Sequence, residues 1–264
     1  MRITDLTEDM KELYFVCLDD WSDEFNDAGD YKVRWYEKMK DRGLRVKVSL
    51  DDSGEIGGLI QYAPIEHSFV DGKDLYFVYC IWVHGHKKGR GNFQGKGMGK
   101  ALLEAAEQDV NELGAKGLAV WGIPFPFWMK ASWFKKQGYQ QVDKNGLLGE
   151  RLLWKKFKED AEPPRLIKDK KKPQLSAGRV TVTAFRNGWC PVQNIMCERA
   201  KQACAEIGDK AVYQEIETFE KESIFKWGCS DVLYVDDKRI NNGPPLSYEK
   251  IKKKIEKKVK GLPR

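Results

Sequence analysis

Glycine stands at every second position in Gln94-Gly95-Lys96-Gly97-Met98-Gly99-Lys100, and an apolar-periodic segment follows at once. Such glycines leave backbone N–H groups unshielded by side chains. A helix beginning there adds unpartnered N–H groups and the positive end of its dipole. Together these make a cradle for a pyrophosphate-like anion, with Lys96 and Lys100 adding charge. A magnesium-assisted nucleotide loop does not fit, because Ala101 follows Gly99-Lys100 where a Ser or Thr hydroxyl is required. A dinucleotide loop does not fit either. It follows the first strand of its domain, whereas this loop comes after several strand-like runs.

Two other groups of residues are chemically suggestive. His84 and His86 lie in the segment "HGHKKGRGNF" with Lys87, Lys88 and Arg90. An imidazole there can serve as general base or bind an anion, and His84 is the catalytic candidate of the two. The plainer expectation is that both are solvated loop residues and that the cations are an ordinary wet charge run. There are six cysteines, Cys17, Cys80, Cys190, Cys197, Cys204 and Cys229, four of them in the last third. Trp189-Cys190-Pro191 falls between a strand-like run and a helix-like run. A thiolate at a helix N-terminus is stabilised by the dipole, which makes Cys190 a nucleophile candidate. Cys197 and Cys204 recur on one helix face, too far apart to hold one ion. They are expected to be small core residues, and no metal site is expected.

The elements that must position these residues are readable from periodicity. A helix is expected over residues 7–20, capped by Thr7 and Asp9, and a second over 31–42, stopped by Gly43. Residues 44–50 and 55–65 read as strands joined by the turn Asp51-Asp52-Ser53-Gly54. Residues 74–84 are apolar on both faces, as in a central strand. The glycine loop, a helix over 98–113, a buried strand over 117–123, a helix through "PFWMKASWFKKQGY" and a last strand in "LLGERLLWKKF" complete the series. Residues 158–178 hold three prolines and many charges, the composition of a linker. Beyond it the order is β-α-β-α-β-β-α. The division expected is therefore 1–157, a linker at 158–178, and 179–264.

Bulk composition excludes little. The net charge is +6, the charged share 33% and the hydrophobic share 41%. No apolar run approaches the roughly 18 residues of a membrane span. The N-terminus carries acids where a signal peptide has cations, so the chain is expected to be cytoplasmic. In "YEKIKKKIEKKVKG" Ile251, Ile255 and Val259 recur every four residues, so its lysines read as the wet side of a packed helix. Nucleic-acid and membrane partners are not expected.

The Gln-x-x-Gly-x-Gly pattern at Gln94 to Gly99, set between a long apolar strand and an amphipathic helix, resembles the acetyl-CoA-binding loop of the GNAT N-acetyltransferases. The element order over residues 1–157 and the late segment "ASWFKKQGYQQVD" resemble that family too. The resemblance implies an α/β (α+β) chain with the GNAT acyl-CoA N-acyltransferase fold. It also implies transfer of an acetyl group from acetyl-CoA to an amine, here a small molecule. Ile81, Trp82 and Val83 would pair with the pantetheine arm. Gln94, Gly95, Lys96, Gly97, Met98, Gly99 and Lys100 would hold the pyrophosphate, and Lys87, Lys88 and Arg90 a further phosphate. A strand N–H near Val83 would polarise the thioester. The pattern is broken where many members carry a general-acid Tyr: Phe134 stands there, leaving Ser132 or solvent. The ten residues between Val83 and Gln94 also exceed the family's usual spacing. "VWGIPFPFWMKASWF" suggests an apolar wall, with Trp121 and Phe134 read as core and Trp128 as the pocket candidate.

The C-terminal run "FRNGWCPVQ" resembles a thioredoxin-like module. Gln193 replaces the second cysteine of Cys-x-x-Cys, and Cys229-Ser230 stands where a cis-proline is usual. This implies Cys190 near Cys229, with a disulfide or mixed-disulfide site between them. The combination of modules is similar to the YoaP-like proteins. Two alternatives stay open: a degenerate acyl-CoA-binding or sensor protein, and a thiol oxidoreductase using Cys190.

Overall fold

The structure is a computed structural model that describes residues 1–126, 128–147, 149–168, 170–241 and 245–262, without the side chain of Asp27. The chain divides into two compact units, residues 1–26 with 36–166, and residues 27–35 with 167–264. No helix among the described residues is long and apolar enough to cross a membrane.

The first unit runs β1 (Arg2–Asp5), α1 (Lys11–Phe15), α2 (Asp23–Asp27), α3 (Gly29–Met39), β2 (Arg45–Leu50), β3 (Ile56–Pro64), β4 (Val70–Asp71), β5 (Tyr76–Val83), α4 (Met98–Glu112), β6 (Gly117–Gly122), α5 (Ala131–Lys136), β7 (Gln140–Lys144), β8 (Arg151–Lys156) and β9 (Arg165–Leu166). Residues 27–35, which include most of α3, group with the second unit. Among the described residues seven strands form one sheet in the order β1-β2-β3-β5-β6-β8-β7. Its one parallel pair is β5 with β6. β6 is buried at every position, as its unbroken apolar run predicts. The expected hairpin joins β2 to β3. Asp51 Oδ1 accepts the Ser53 and Glu55 N–H groups at 2.9 and 3.0 Å, and Gly54 takes φ +87°. Helix α4 lies on β2, β3 and β5. Asp109 on that helix receives Arg45 of β2 and the Tyr62 hydroxyl of β3, the latter at 2.6 Å. On another side, Tyr14 and Leu18 pack with Val46, Val48, Leu59 and Trp82.

Several expectations need correction. The first helix is short. It ends when Cys17 and Leu18 adopt φ +52° and +68°. The Leu18 N–H reaches Leu13 O and the Cys17 N–H reaches Tyr14 O, both at 3.0 Å. That is the bonding of a Schellman cap, here built on a cysteine instead of the usual glycine. Thr7 does not cap the backbone; its hydroxyl binds Asp9. The late helix begins only at Ala131, because Met129 is left-handed at φ +51° and the chain folds back there. β1 and β7 were not expected. Each is a short, largely exposed strand, and β7 is polar, so no apolar alternation marks it.

The second unit contains β10 (Val180–Arg186), α6 (Pro191–Ile207), β11 (Ala211–Glu217), α7 (Lys221–Trp227), β12 (Leu233–Val235), β13 (Lys238–Arg239) and α8 (Tyr248–Val259). Its sheet order is β11-β10-β12-β13, with β10 and β11 parallel and β12 antiparallel to β10. Ile251 and Ile255 of α8 are fully buried beside Cys197 and Cys204 of α6, so the lysines of α8 do form its wet side. Buried Arg186 is held by Glu215 at 2.8 and 2.6 Å and by Glu198 at 2.7 Å, with the Tyr31 ring 3.5 Å from its guanidinium.

Candidate functional site

The site begins where β5 and β6 part. They pair from Tyr76, Phe77 and Val78 to Leu118, Ala119 and Val120, and no further. Just beyond, β5 carries one extra residue: Val78 pairs with Tyr62 and Cys80 with Gln61, so Tyr79 is bulged. A bulge raises local twist and turns the strand edge away from its neighbour. Side chains engage the edge so released. Trp121 Nε1 donates to Tyr79 O at 2.8 Å, the Ile81 N–H donates to Met129 Sδ at 3.5 Å, and Gln94 Nε2 donates to Val83 O at 3.3 Å. The expected strand residues Ile81, Trp82 and Val83 therefore lie on or beside this opening.

The glycine loop follows directly. Gly95 and Gly97 have φ +79° and +84°, which side-chain-bearing residues rarely adopt, and Gly97 is the N-cap of α4. The Ala101 N–H closes the first turn on Gly97 O at 3.1 Å. The N–H groups of Met98, Gly99 and Lys100 precede it, so no carbonyl within the helix reaches them. Gln94, Gly95, Lys96 and Gly97 are exposed. A Cβ at Gly99 would meet Val83 and Trp133, each at 3.7 Å. The helix start thus sits between the end of β5 and α5. Sequence reasoning includes Trp133 only as part of the apolar stretch from Val120 to Phe134 and does not single it out.

The long insertion is pinched off at its base. The Phe93 N–H binds His84 O at 2.8 Å, and the Gln94 side chain lies over Gly85, where a Cβ would stand 2.2 Å from Nε2. Phe93 is buried against Gly57, where a Cβ would meet its ring at 2.5 Å. The glycine loop is thereby delivered to the strand end across the ten intervening residues. Arg90 pairs with Glu55 and lies 3.6 Å from Asp20, so it is committed to this anchoring. Lys87 and Lys88 are exposed, with Lys88 over the Trp21 ring at 4.4 Å.

The expectation of a solvated His84 was wrong. His86 is exposed, but His84 is 0% exposed. Its Nδ1 lies 2.6 Å from Gly91 O. A carbonyl can only accept, so Nδ1 carries a proton, and in the neutral ring Nε2 is an acceptor. Nε2 lies 3.4 Å from Oδ1 of buried Asp19, also an acceptor when ionised. Two buried acceptors face each other, which is tolerable only if they share one proton. Burial pushes the Asp19 carboxyl above its ordinary value, and the two imidazoles His84 and His86 oppose this.

The remaining candidates are dispersed. Ser132 is exposed at the start of α5, and Phe134 is fully buried against Trp133 and Tyr139. Trp121 is buried as expected, and half-buried Trp128 meets it edge-on at 5.1 Å. Cys190, in the second unit, is the N-cap of α6. It is buried, and its N–H binds Asn187 Oδ1 at 3.3 Å. The Cys190–Cys229 disulfide is not formed; none of the six cysteines is in a disulfide. Cys229 instead packs against Phe185, Val232 and Tyr234. Burial pushes the Cys197 and Cys204 thiols up to about 12, which makes them inert.

Comparison with known proteins bears on the first unit. Residues 7–124 match the acetyltransferase (GNAT) family. No curated protein matches the chain. Solved structures similar to it include aminoglycoside 6'-acetyltransferase type Ii, with 16% identity, 59% of this chain and 97% of that one covered, and TM-score 0.44. Another is a GNAT family acetyltransferase from Brucella melitensis in complex with acetyl-CoA, with 16% identity, coverage of 61% and 91%, and TM-score 0.42. A third is PaiA N-acetyltransferase from Thermoplasma acidophilum in complex with coenzyme A, with 17% identity, coverage of 60% and 100%, and TM-score 0.42.

Proposed function

We propose that the unit carrying the acetyltransferase (GNAT) match transfers an acetyl group from acetyl-CoA to the amine of a small molecule. The observation that carries this reading is the opening between β5 and β6, which leads directly into the glycine-rich start of α4. Backbone N–H groups from Gly95 to Lys100 would hold the pyrophosphate, with Lys96 and Lys100 adding charge. The β5 edge at Ile81 and Val83 would take the pantetheine arm and polarise the thioester carbonyl. When bound, acetyl-CoA supplies the activated acyl group. The amine attacks in its neutral form and loses a proton on acylation. The CoA thiol, with an ordinary pKa near about 8.5, can leave without a dedicated acid, which suits Phe134. We give His84 and Asp19 the task of holding the insertion in place; the enclosed imidazole supports this over direct proton transfer. Exposed Ser132 remains a candidate proton donor.

For the second unit we propose a thioredoxin-like accessory module, divided from the first by the linker. The sheet order, with a parallel pair and two antiparallel strands, supports this, as does Cys190 at the head of α6. Its buried position favours a structural role over an oxidoreductase one.

Isothermal titration with acetyl-CoA tests binding, and release of CoA thiol over a panel of amines tests transfer. One-site binding with amine-dependent thiol release is expected. Binding without release on any amine would favour the degenerate acyl-CoA-binding reading, for which buried Phe134 is the specific observation.

A further inference from the structure

The donor at the centre of the opening is already engaged. Along β5, the His84 N–H points to β3, where it meets Gly57 O at 2.9 Å. Backbone groups two residues apart point the same way, so the Trp82 and Cys80 N–H groups face β3 and that of Ile81 faces the opening. There it meets Met129 Sδ at 3.5 Å. A thioether is a weak acceptor, inferior to a carbonyl oxygen.

The Met129 backbone is fixed. Its carbonyl accepts the Ile123 N–H at 2.8 Å, and Gly122 passes so close that a Cβ there would meet Met129 O at 2.9 Å. The side chain, with three rotatable bonds, is the adaptable part. It is 4% exposed, so it fills the space beside the Ile81 N–H and shields that donor from water.

We propose that the Met129 thioether holds the place of the acyl thioester. It satisfies the Ile81 N–H in the unliganded chain and yields that donor to the acyl carbonyl when acyl-CoA binds. This rests on the acetyl-CoA reading above and adds a positioning residue to it. A buried N–H left without a partner is costly, so a stand-in acceptor keeps the opening closed and dry between turnovers. The acyl group then competes with it, whereas CoA, whose free thiol carries no carbonyl there, does not.

The test is titration of wild type and Met129→Leu with acetyl-CoA and, separately, CoA. Leucine keeps the volume and removes the acceptor. Acetyl-CoA should bind the variant about threefold or more tightly, and CoA should change less than twofold, given the usual net strength of one hydrogen bond. An equal change for both ligands, or none, overturns the proposal. A second readout needs no variant. In protein labelled with carbon-13 at methionine methyls, the Met129 signal should shift with acetyl-CoA and stay largely in place with CoA; the same response to both overturns it. If wild type binds neither ligand, the acetyl-CoA reading falls and takes this inference with it. If wild type binds both and Met129 is indifferent to the acetyl group, only this inference falls.

Discussion

Single side chains at this site do their work through hydrogen-bond parity. His84 illustrates it: once Nδ1 is committed to Gly91 O, the other nitrogen must face Asp19 as an acceptor, and one proton must lie between them. Asp19→Ala leaves Nε2 buried without a partner and should destabilise the chain by about 1–3 kcal/mol in urea unfolding at neutral pH. Asp19→Asn, whose amide can donate to Nε2, should cost clearly less; an equal loss would contradict the one-proton account. The thiols give a second prediction. Because burial holds Cys197 and Cys204 near about 12, native protein at pH 7.5 should leave both unmodified by iodoacetamide while half-buried Cys17 and Cys229 react first, as peptide mapping will report.

At the scale of elements, the join between α4 and the sheet sets how the loop is presented. Burial opposes ionisation of Asp109, but hydrogen bonds from Arg45 and Tyr62 and the charge of Lys47 outweigh it and hold its carboxyl below the ordinary 3.8. A lowered carboxylate contributes stability that is complete above the ordinary value and lost as pH falls through the lowered one. Asp109→Asn should therefore cost about 1.5–3 kcal/mol at pH 7 and markedly less once the pH has fallen through the lowered carboxyl value, which thermal melts over a series of acid pH values will show. Gly97→Ala meets no neighbour within 4 Å but must hold φ +84°. The strain of about 1–2 kcal/mol should appear as lost stability and weakened acetyl-CoA binding together. Much at this scale was legible in the sequence. Asp51 to Gly54 announce their hairpin, and the alternate glycines announce the turn that opens α4. What was not legible depends on partners remote in sequence: the cap built on Cys17, the closure of the insertion by Phe93 and Gln94, and the reversal at Met129 that delays α5. None of these has a local residue pattern, because each is decided by what the segment packs against.

At the scale of the molecule, the β5–β6 opening and the glycine loop sit in the unit matched by the family, while Cys190 lies in the other. The order of elements in the second unit could be read from periodicity, as could that of the first apart from short strands such as β1 and β7, since the apolar faces of the longer elements are buried. The enclosed position of His84 could not, since an imidazole has no hydropathy that separates a core site from a wet loop. Cofactor binding by the full chain is the most direct test of the acetyl-CoA reading. Isothermal titration with acetyl-CoA should give one site per chain, lost or weakened at least several-fold in Gly97→Ala. Absence of binding by the wild-type chain up to submillimolar acetyl-CoA would contradict it.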